Sequence, residues 1–297
     1  MKIVLFGANN PSGAAFVEIV NANNSISLEV WGRNPPSHTS YKYVQCDLLR
    51  PFICDGKNLS GIIVSFAPIW LLATFLESIQ TLGKDALTNI EGMVVCSSSS
   101  YLTKRFSYNT YDQELAQTLV DSHRKLASIC GVNNIPCQIL APSLVYGNVG
   151  QYKDKNINKI VDILRHSPFI LIPRRSGLRQ PIHAFQLAKA AHVYALRLTD
   201  TTIGYCQLEA LGGDTEISYL KMVGLIQANL AAKDTGRRCK VIEVPNRLFY
   251  ALAALLLPIN PKMFEALLRI QSNLSGFTKC HEILGESPQE FPIGSIQ

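Results

Sequence analysis

The chain predicts an α/β fold, a doubly wound and mainly parallel sheet with a smaller C-terminal lobe, and three observations carry that prediction. Residues 2–6 form a short apolar run, residues 7–13 are rich in turn formers, and residues 14–20 place apolar side chains at helical spacing. A strand, a tight turn and a helix therefore follow one another within the first twenty residues. Strand-length apolar runs recur at 28–31, 43–46, 61–65, 93–96 and 137–140, with helical stretches near 70–82 and 112–130 between the later ones. Such alternation builds a parallel sheet covered by helices on both faces. The third observation is bulk: 297 residues, 47% apolar and 17% charged, can bury a large core and do not have the composition of a disordered chain.

Beyond residue 140 the pattern is less regular. Helices are predicted near 156–166, 184–198, 216–231 and 247–271, with short strands between them. Residues 1–150 then form the first unit, and residues 151–297 complete the sheet and form the lobe. The longest apolar stretch, 248–259, is checked by Pro258 and Pro261. A spanning helix needs about 20 residues, so this stretch is expected to pack in the core or the lobe. Docking on a membrane surface is the alternative, because Lys262 and Arg269 follow an unusually apolar face.

The N-terminal apolar run is only five residues long, too short for a signal peptide. Eight cysteines are dispersed with no Cys-x-x-Cys spacing, so no metal site is expected and they read as reduced core residues of a cytoplasmic protein. A net charge of +6 without an aromatic-rich basic repeat excludes nucleic acid as the expected partner and leaves small anionic substrates.

The first turn carries the most specific signal. Gly7 and Gly13 are the outer glycines of a Gly-x-x-Gly-x-x-Gly pattern whose middle position is Asn10. A strand running into a helix N-terminus is the setting for a pyrophosphate, although an ordinary strand–helix turn has the same outline. Asn tolerates a left-handed backbone, so the turn survives, but its side chain is expected to intrude where bare backbone could approach phosphate. Ligands of such a sheet sit beyond the carboxyl ends of the strands.

Five segments in order, Gly7 to Gly13, Val95-Cys-Ser-Ser-Ser-Ser100, Ile139-Leu-Ala-Pro-Ser-Leu-Val-Tyr-Gly147, Gly177-Leu-Arg-Gln-Pro-Ile-His-Ala-Phe-Gln-Leu-Ala188 and Arg269 to Pro288, resemble the extended short-chain dehydrogenases. Within them the chain is similar to the NAD-dependent epimerase/dehydratases that act on nucleotide sugars, over nearly its whole length. The resemblance implies a Rossmann-type fold and a nicotinamide cofactor touched by Gly7, Asn9, Asn10, Ser12, Gly13, Arg33, Asp47, Ser65, Phe66, Ala67, Ser97 and Pro142. Arg33 stands where a carboxylate usually binds the ribose hydroxyls of NAD. A guanidinium there would pair with a 2'-phosphate and favours NADP over NAD; as a residue alone, Arg33 is equally a solvated loop charge.

The resemblance also implies a Ser that polarises the substrate oxygen and a Tyr-x-x-x-Lys pair that exchanges the proton. Ser99 takes the first place. Counting back about two dozen residues from Leu140 puts the pair near Glu114 to Leu119, where neither a Tyr nor a Lys stands. Tyr101, Lys104 and Tyr111 are the candidates to replace it, Tyr101 and Lys104 being close enough to the serine run to share its cleft. Ala141 replaces an Arg, and Gln186 replaces an Asp that would cap the next helix better.

On the substrate side, Arg179 and Arg269 resemble the two arginines that hold a nucleotide-sugar diphosphate, a task suited to a fixed planar fork. An ion pair within the lobe and an exposed helix charge are their respective alternatives, and His183 reads as a hydrogen-bonded core histidine. The expected function is an NAD(P)-dependent oxidoreductase or epimerase acting on a nucleotide-linked sugar with an atypical proton donor. The other reading is a catalytically degenerate dinucleotide-binding sensor or scaffold. A homodimer is compatible with both.

Overall fold

In β1 (Lys2–Phe6) the side chains alternate between two cores: Ile3 and Leu5 enter one, Val4 and Phe6 the other. A strand buried on both faces is what a central position in a parallel sheet requires. The computed structural model describes all residues except 23–24, 36–40, 51–58, 84–85, 108, 199–205 and 295–297. From the turn after β1 the chain enters α1 (Pro11–Asn21), returns as β2 (Ser27–Gly32) and β3 (Lys42–Gln45), and crosses to β4 (Gly61–Ser65). Then follow α2 (Ile69–Leu82), β5 (Ile90–Cys96), the single turn α3 (Ser100–Thr103), α4 (Thr110–Asn133) and β6 (Cys137–Pro142).

The second half supplies β7 (Val145–Tyr146), α5 (Ile157–His166), β8 (Phe169–Pro173), β9 (Leu178–Arg179), β10 (Ile182–His183) and α6 (Ala184–Arg197). Next come β11 (Gln207–Gly212), β12 (Ile217–Ser218), α7 (Tyr219–Asn229), β13 (Lys240–Val244), α8 (Asn246–Ala254), α9 (Pro261–Leu268), β14 (Thr278–Lys279) and α10 (Cys280–Leu284). The main sheet has eight strands in the order β14-β11-β6-β5-β4-β1-β2-β3, every pairing parallel. The expected doubly wound fold is therefore present, and β11 and β14 extend its sheet from the C-terminal half.

One face carries α1, α6 and α10, where Phe16, Ala188 and Ala191 pack on Leu5 and Val64. The small side chains of α6 let it lie close to the strands. The opposite face carries α2 and α4, with Phe75, Leu76 and Leu126 around Phe6 and Trp31. A third cluster, Val161, Leu164, Met222 and Ile226, belongs to the lobe built on β8, β13, α5 and α7. Burying each such side chain contributes roughly 1.5 to 3 kcal/mol.

Two expectations change in three dimensions. The predicted helix 247–271 is two helices, α8 and α9, because Pro258 and Pro261 interrupt the backbone bonding between them. Gln186 is not a weak cap: His183 is the N-cap of α6, its Nδ1 accepting from the Phe185 N–H, while the Gln186 Oε1 accepts from the His183 N–H at 3.0 Å. That is a reciprocal capping box, and the Gln186 amide also donates to Asp214. It bears out the hydrogen-bonded reading of His183. The seven described cysteines form no disulfide, and all are buried but the half-buried Cys206; Cys54 lies outside the described residues. No described helix is long and apolar enough to cross a membrane.

Candidate active site

The sheet order reverses between β1 and β4, and the crevice beyond that switch point holds two adjoining hollows of about 680 and 340 Å³ that share Asn9, Asn10, Phe66, Ala67 and Pro68. Gly7 makes the approach possible. At φ +78° it is left-handed, and a Cβ there would lie 2.5 Å from the Ala67 nitrogen. A Cβ on Gly13 would collide with the Gly7 carbonyl oxygen, so α1 packs backbone to backbone on the turn.

Asn10 behaves differently from the expectation. Its backbone is extended (φ −147°, ψ 166°) and it is the N-cap of α1. Its Oδ1 accepts from the Gly13 N–H at 2.9 Å, while its Nδ2 donates to the carbonyls of Gly7 at 2.8 Å and Phe66 at 3.1 Å. The side chain is thus turned onto the protein, where it ties the first turn to the end of β4. It does not need the left-handed tolerance of Asn, and its polar atoms are spent before a phosphate could meet them.

The smaller hollow is lined by Arg33, Asn34, Asp47 and Leu48 at the ends of β2 and β3. Arg33 is exposed and makes no ion pair with any described residue. The larger hollow takes in Asn9, Ser12, Ser97, Ser98, Leu119 and Pro142. Of the residues expected to touch a cofactor, Gly13 and Ser65 lie behind this wall; Ser65 is fully buried and its Oγ accepts from the Ala67 N–H. The others border one hollow or both.

At the end of β5 the structure brings together a pair that the sequence did not single out. Ser97 Oγ lies 2.7 Å from Nε2 of His123, on α4. The Tyr101 ring stands edge-on against the imidazole, centroids 5.1 Å apart. Burial holds His123 below its ordinary value, with a small opposing contribution from Cys206, so the ring is neutral near pH 7. Leu119, one helical turn before His123, lines the hollow. The helix therefore presents Leu119 and His123 to the serine run at the spacing of a Tyr-x-x-x-Lys pair. The station lies later on α4 than the expected Glu114 to Leu119, and only residues 134–136 separate α4 from β6. The spacing was the signal available, and the unexpected residue types hid it.

The three catalytic candidates are placed as follows. Ser99, 8% exposed, donates its backbone N–H to Pro142 and stands outside the hollow that Ser97 and Ser98 line. Burial raises the Tyr101 phenol above its ordinary value, the wrong direction for a proton donor at neutral pH. Lys104 is held by Asp112 at 2.8 Å, away from the hollow.

The same carboxylate holds Arg269 at 2.6 Å. Burial opposes ionisation of Asp112, but the hydrogen bond from Lys104 and the charge of Arg269 outweigh it and lower the carboxyl below its ordinary value. Arg179 is 5% exposed and donates to the carbonyls of Leu178, Ser272 and Arg269 at 2.7, 2.6 and 2.6 Å. Its guanidinium also lies 5.4 Å from the centre of the Tyr219 ring. The two arginines are thus neighbours, Arg179 joining the turn after α9 to β9 and Arg269 joining it to the start of α4, not forks on opposite walls, and neither lines a hollow next to the serine run.

The cations that do face the larger hollow are Lys153 and Lys155, both exposed, on the loop between β7 and α5. Tyr152 of this loop donates its hydroxyl to Asn9 Oδ1 at 2.9 Å, joining the loop to the first turn. Asp154 is buried and accepts from the N–H groups of Gly147, Asn156 and Ile157, which fixes the loop and starts α5.

No family model matches the chain, and no curated protein sequence matches it. Solved structures do. A dTDP-glucose 4,6-dehydratase from Bacillus anthracis in complex with NAD is 13% identical with a TM-score of 0.61, over 98% of this chain and 92% of that one. A UDP-glucuronic acid 4-epimerase from Bacillus cereus, in complex with UDP-glucuronic acid and NAD, is 13% identical with a TM-score of 0.63, over 98% and 95%. A UDP-N-acetylglucosamine 4-epimerase from Bacillus cereus is 15% identical with a TM-score of 0.60, over 91% and 95%. At such identities the likeness concerns the fold: the chain shares a Rossmann-type fold with these two epimerases and this dehydratase.

Proposed function

We propose that this protein is a nicotinamide-dinucleotide-dependent oxidoreductase or epimerase acting on a nucleotide-linked sugar, with Ser97 and His123 in place of the Tyr-Lys pair. The observation that carries the reading is the 2.7 Å contact between a neutral buried imidazole and a hydroxyl on the wall of the cleft. The likeness to proteins solved with NAD and with UDP-glucuronic acid supports the choice of ligands.

The residues present suit the cofactor. The two adjoining hollows run from Arg33 and Asp47 past the Gly7 turn to Ser97, and Asn10 is folded out of the phosphate's way. Asn9, Ser12, Phe66, Ala67 and Pro142 would border the dinucleotide, and Arg33 would favour NADP by pairing with a 2'-phosphate. When bound, the nicotinamide supplies a hydride acceptor and donor. Ser97 then meets the substrate oxygen: His123 Nε2 takes the Ser97 hydroxyl proton as that hydroxyl accepts one from the substrate, and the reverse step returns it. Ser98, on the same wall, would polarise the same oxygen by turning its hydroxyl from Ser100, to which it donates at 3.0 Å. Lys153 and Lys155 would meet the diphosphate, while Arg179 and Arg269 hold the segment after α9 in place.

Calorimetric titration with NADP and NAD, followed by a panel of UDP- and dTDP-sugars in the presence of the preferred dinucleotide, tests the reading. Binding of both ligand classes with turnover is the expected result. Dinucleotide binding without any sugar-nucleotide binding would instead support a catalytically degenerate sensor, the reading that Leu119 at the tyrosine's spacing favours.

A further inference from the structure

The stretch expected to pack in the core or the lobe does so on one face only. In α8, Phe249 and Ala253 are buried at 5% and 3%, but Leu248, Leu252 and Leu255 point outward. They are joined by Leu257, Ile259 and Met263 of the turn and of α9, and Leu255 and Ile259 are 67% and 79% exposed. Leu248, Leu252 and Leu255 recur at helical spacing on the exposed face, and an exposed apolar face of this kind marks an interaction site.

The charges around this surface identify what it meets. Arg174, Arg175 and Arg247 are exposed, and among the described residues none has an ion-pair partner. They are grouped at the start of α8: the Arg174 N–H donates to Val244, and the Arg175 backbone is bonded in both directions to the Asn246 side chain. From residue 240 to 271 the carboxylates are Glu243 and Glu265 alone. Glu265 is buried and bonded to the Ser107 hydroxyl, which leaves Glu243 as the one exposed acid. An apolar ridge with a cluster of guanidinium groups at one end complements an anionic bilayer, in which leucines enter the acyl boundary and arginines meet phosphate headgroups. A second copy is a poorer occupant, since this face offers only Glu243 as an exposed acid to answer three arginines.

We propose that α8, the turn after it and α9 dock this protein on the surface of an anionic membrane, without spanning it. α9 and the turn after it are bonded, through Glu265 and Arg269, to Ser107 and to Asp112 at the start of α4. The inference does not depend on the reaction proposed above.

The test is co-sedimentation of the full chain with vesicles, of phosphatidylcholine alone or in equal parts with phosphatidylserine. Binding to the mixed vesicles at low salt, at least tenfold weaker on phosphatidylcholine alone, is expected. A Leu252→Glu/Leu255→Glu variant, altered only at exposed positions, should lose at least tenfold. An Arg174→Ala/Arg175→Ala/Arg247→Ala variant should lose a similar factor, and its residual binding should no longer respond to salt. Absence of vesicle binding by the parent, or binding that both variants retain, would overturn the proposal. So would a parent dimer in sedimentation velocity that Leu252→Glu/Leu255→Glu dissociates without any change in vesicle binding.

Discussion

Replacing His123 by Leu removes the group to which the reaction's proton is assigned while keeping an apolar side chain of similar size in a buried position. The structural cost is limited. One hydrogen bond at 2.7 Å is lost, about 1 kcal/mol, and Ser97 lines the cleft, so its hydroxyl can turn to water instead of being stranded. The chemical cost is larger, because a positioned acid–base group contributes roughly 10²- to 10⁴-fold, or about 2.7 to 5.5 kcal/mol of barrier at 1.36 kcal/mol per decade. The assay measures turnover of whichever nucleotide sugar is accepted, alongside dinucleotide affinity and the unfolding midpoint. The expectation is a kcat reduced at least about a hundredfold, dinucleotide affinity unchanged, and a modest fall in stability. Ser97→Ala should reproduce the kcat effect, and Ser99→Ala should not. The pH dependence follows from the same residue. Burial depresses His123, so the base form is present at neutral pH and turnover should fall only below the ordinary imidazole value of about 6.5. The stability component has the same sign: between the unfolded value and the lower folded value the unfolded chain binds the proton first, so stability declines as pH falls through that window. If His123→Leu turns over within about threefold of the parent, less than 0.7 kcal/mol of barrier, the proton assignment is wrong.

Arg33→Asp should weaken NADP more than NAD, by the roughly 1.5 to 3 kcal/mol of one charge-assisted pair; equal losses in calorimetry would remove Arg33 from phosphate recognition. Asn10→Ala should lower stability by about 1 kcal/mol or somewhat more, since a cap bond and two bonds to the first turn and β4 are lost together, and thermal unfolding reads it. Asp112→Ala should cost about 3 kcal/mol, at the lower end for breaking a buried ion pair because Lys104 and Arg269 are partly exposed. The parent should lose that contribution only in acid, as pH falls through the depressed folded value. Arg179→Ala should likewise appear first as a fall in the denaturant midpoint, because it strands three carbonyls; a tenfold loss of nucleotide-sugar affinity at unchanged stability would restore it to the substrate side.

The sheet was legible because its strands are short apolar runs at regular spacing, and burial on both faces leaves a strand little other choice of composition. Gly7 and Gly13 were legible for a related reason: only glycine admits the close backbone approaches found there. Side chains that act at long range in sequence were not. His123 reads as one polar residue on an otherwise ordinary helix until β5 sets Ser97 beside its ring. Arg179 and Arg269 look alike as free charges until the fold gives one to three carbonyls and the other to Asp112. The apolar stretch in α8 looked like core because hydrophobicity reports how readily a residue is buried, not whether a neighbour is there to bury it. The sequence by itself determined the first six strands of the sheet, the first turn and the mainly parallel architecture, which follow from local pattern and backbone sterics. Only the tertiary structure decided which hydroxyl meets the imidazole, which cations stay free and which leucines face outward, because each depends on groups far apart along the chain.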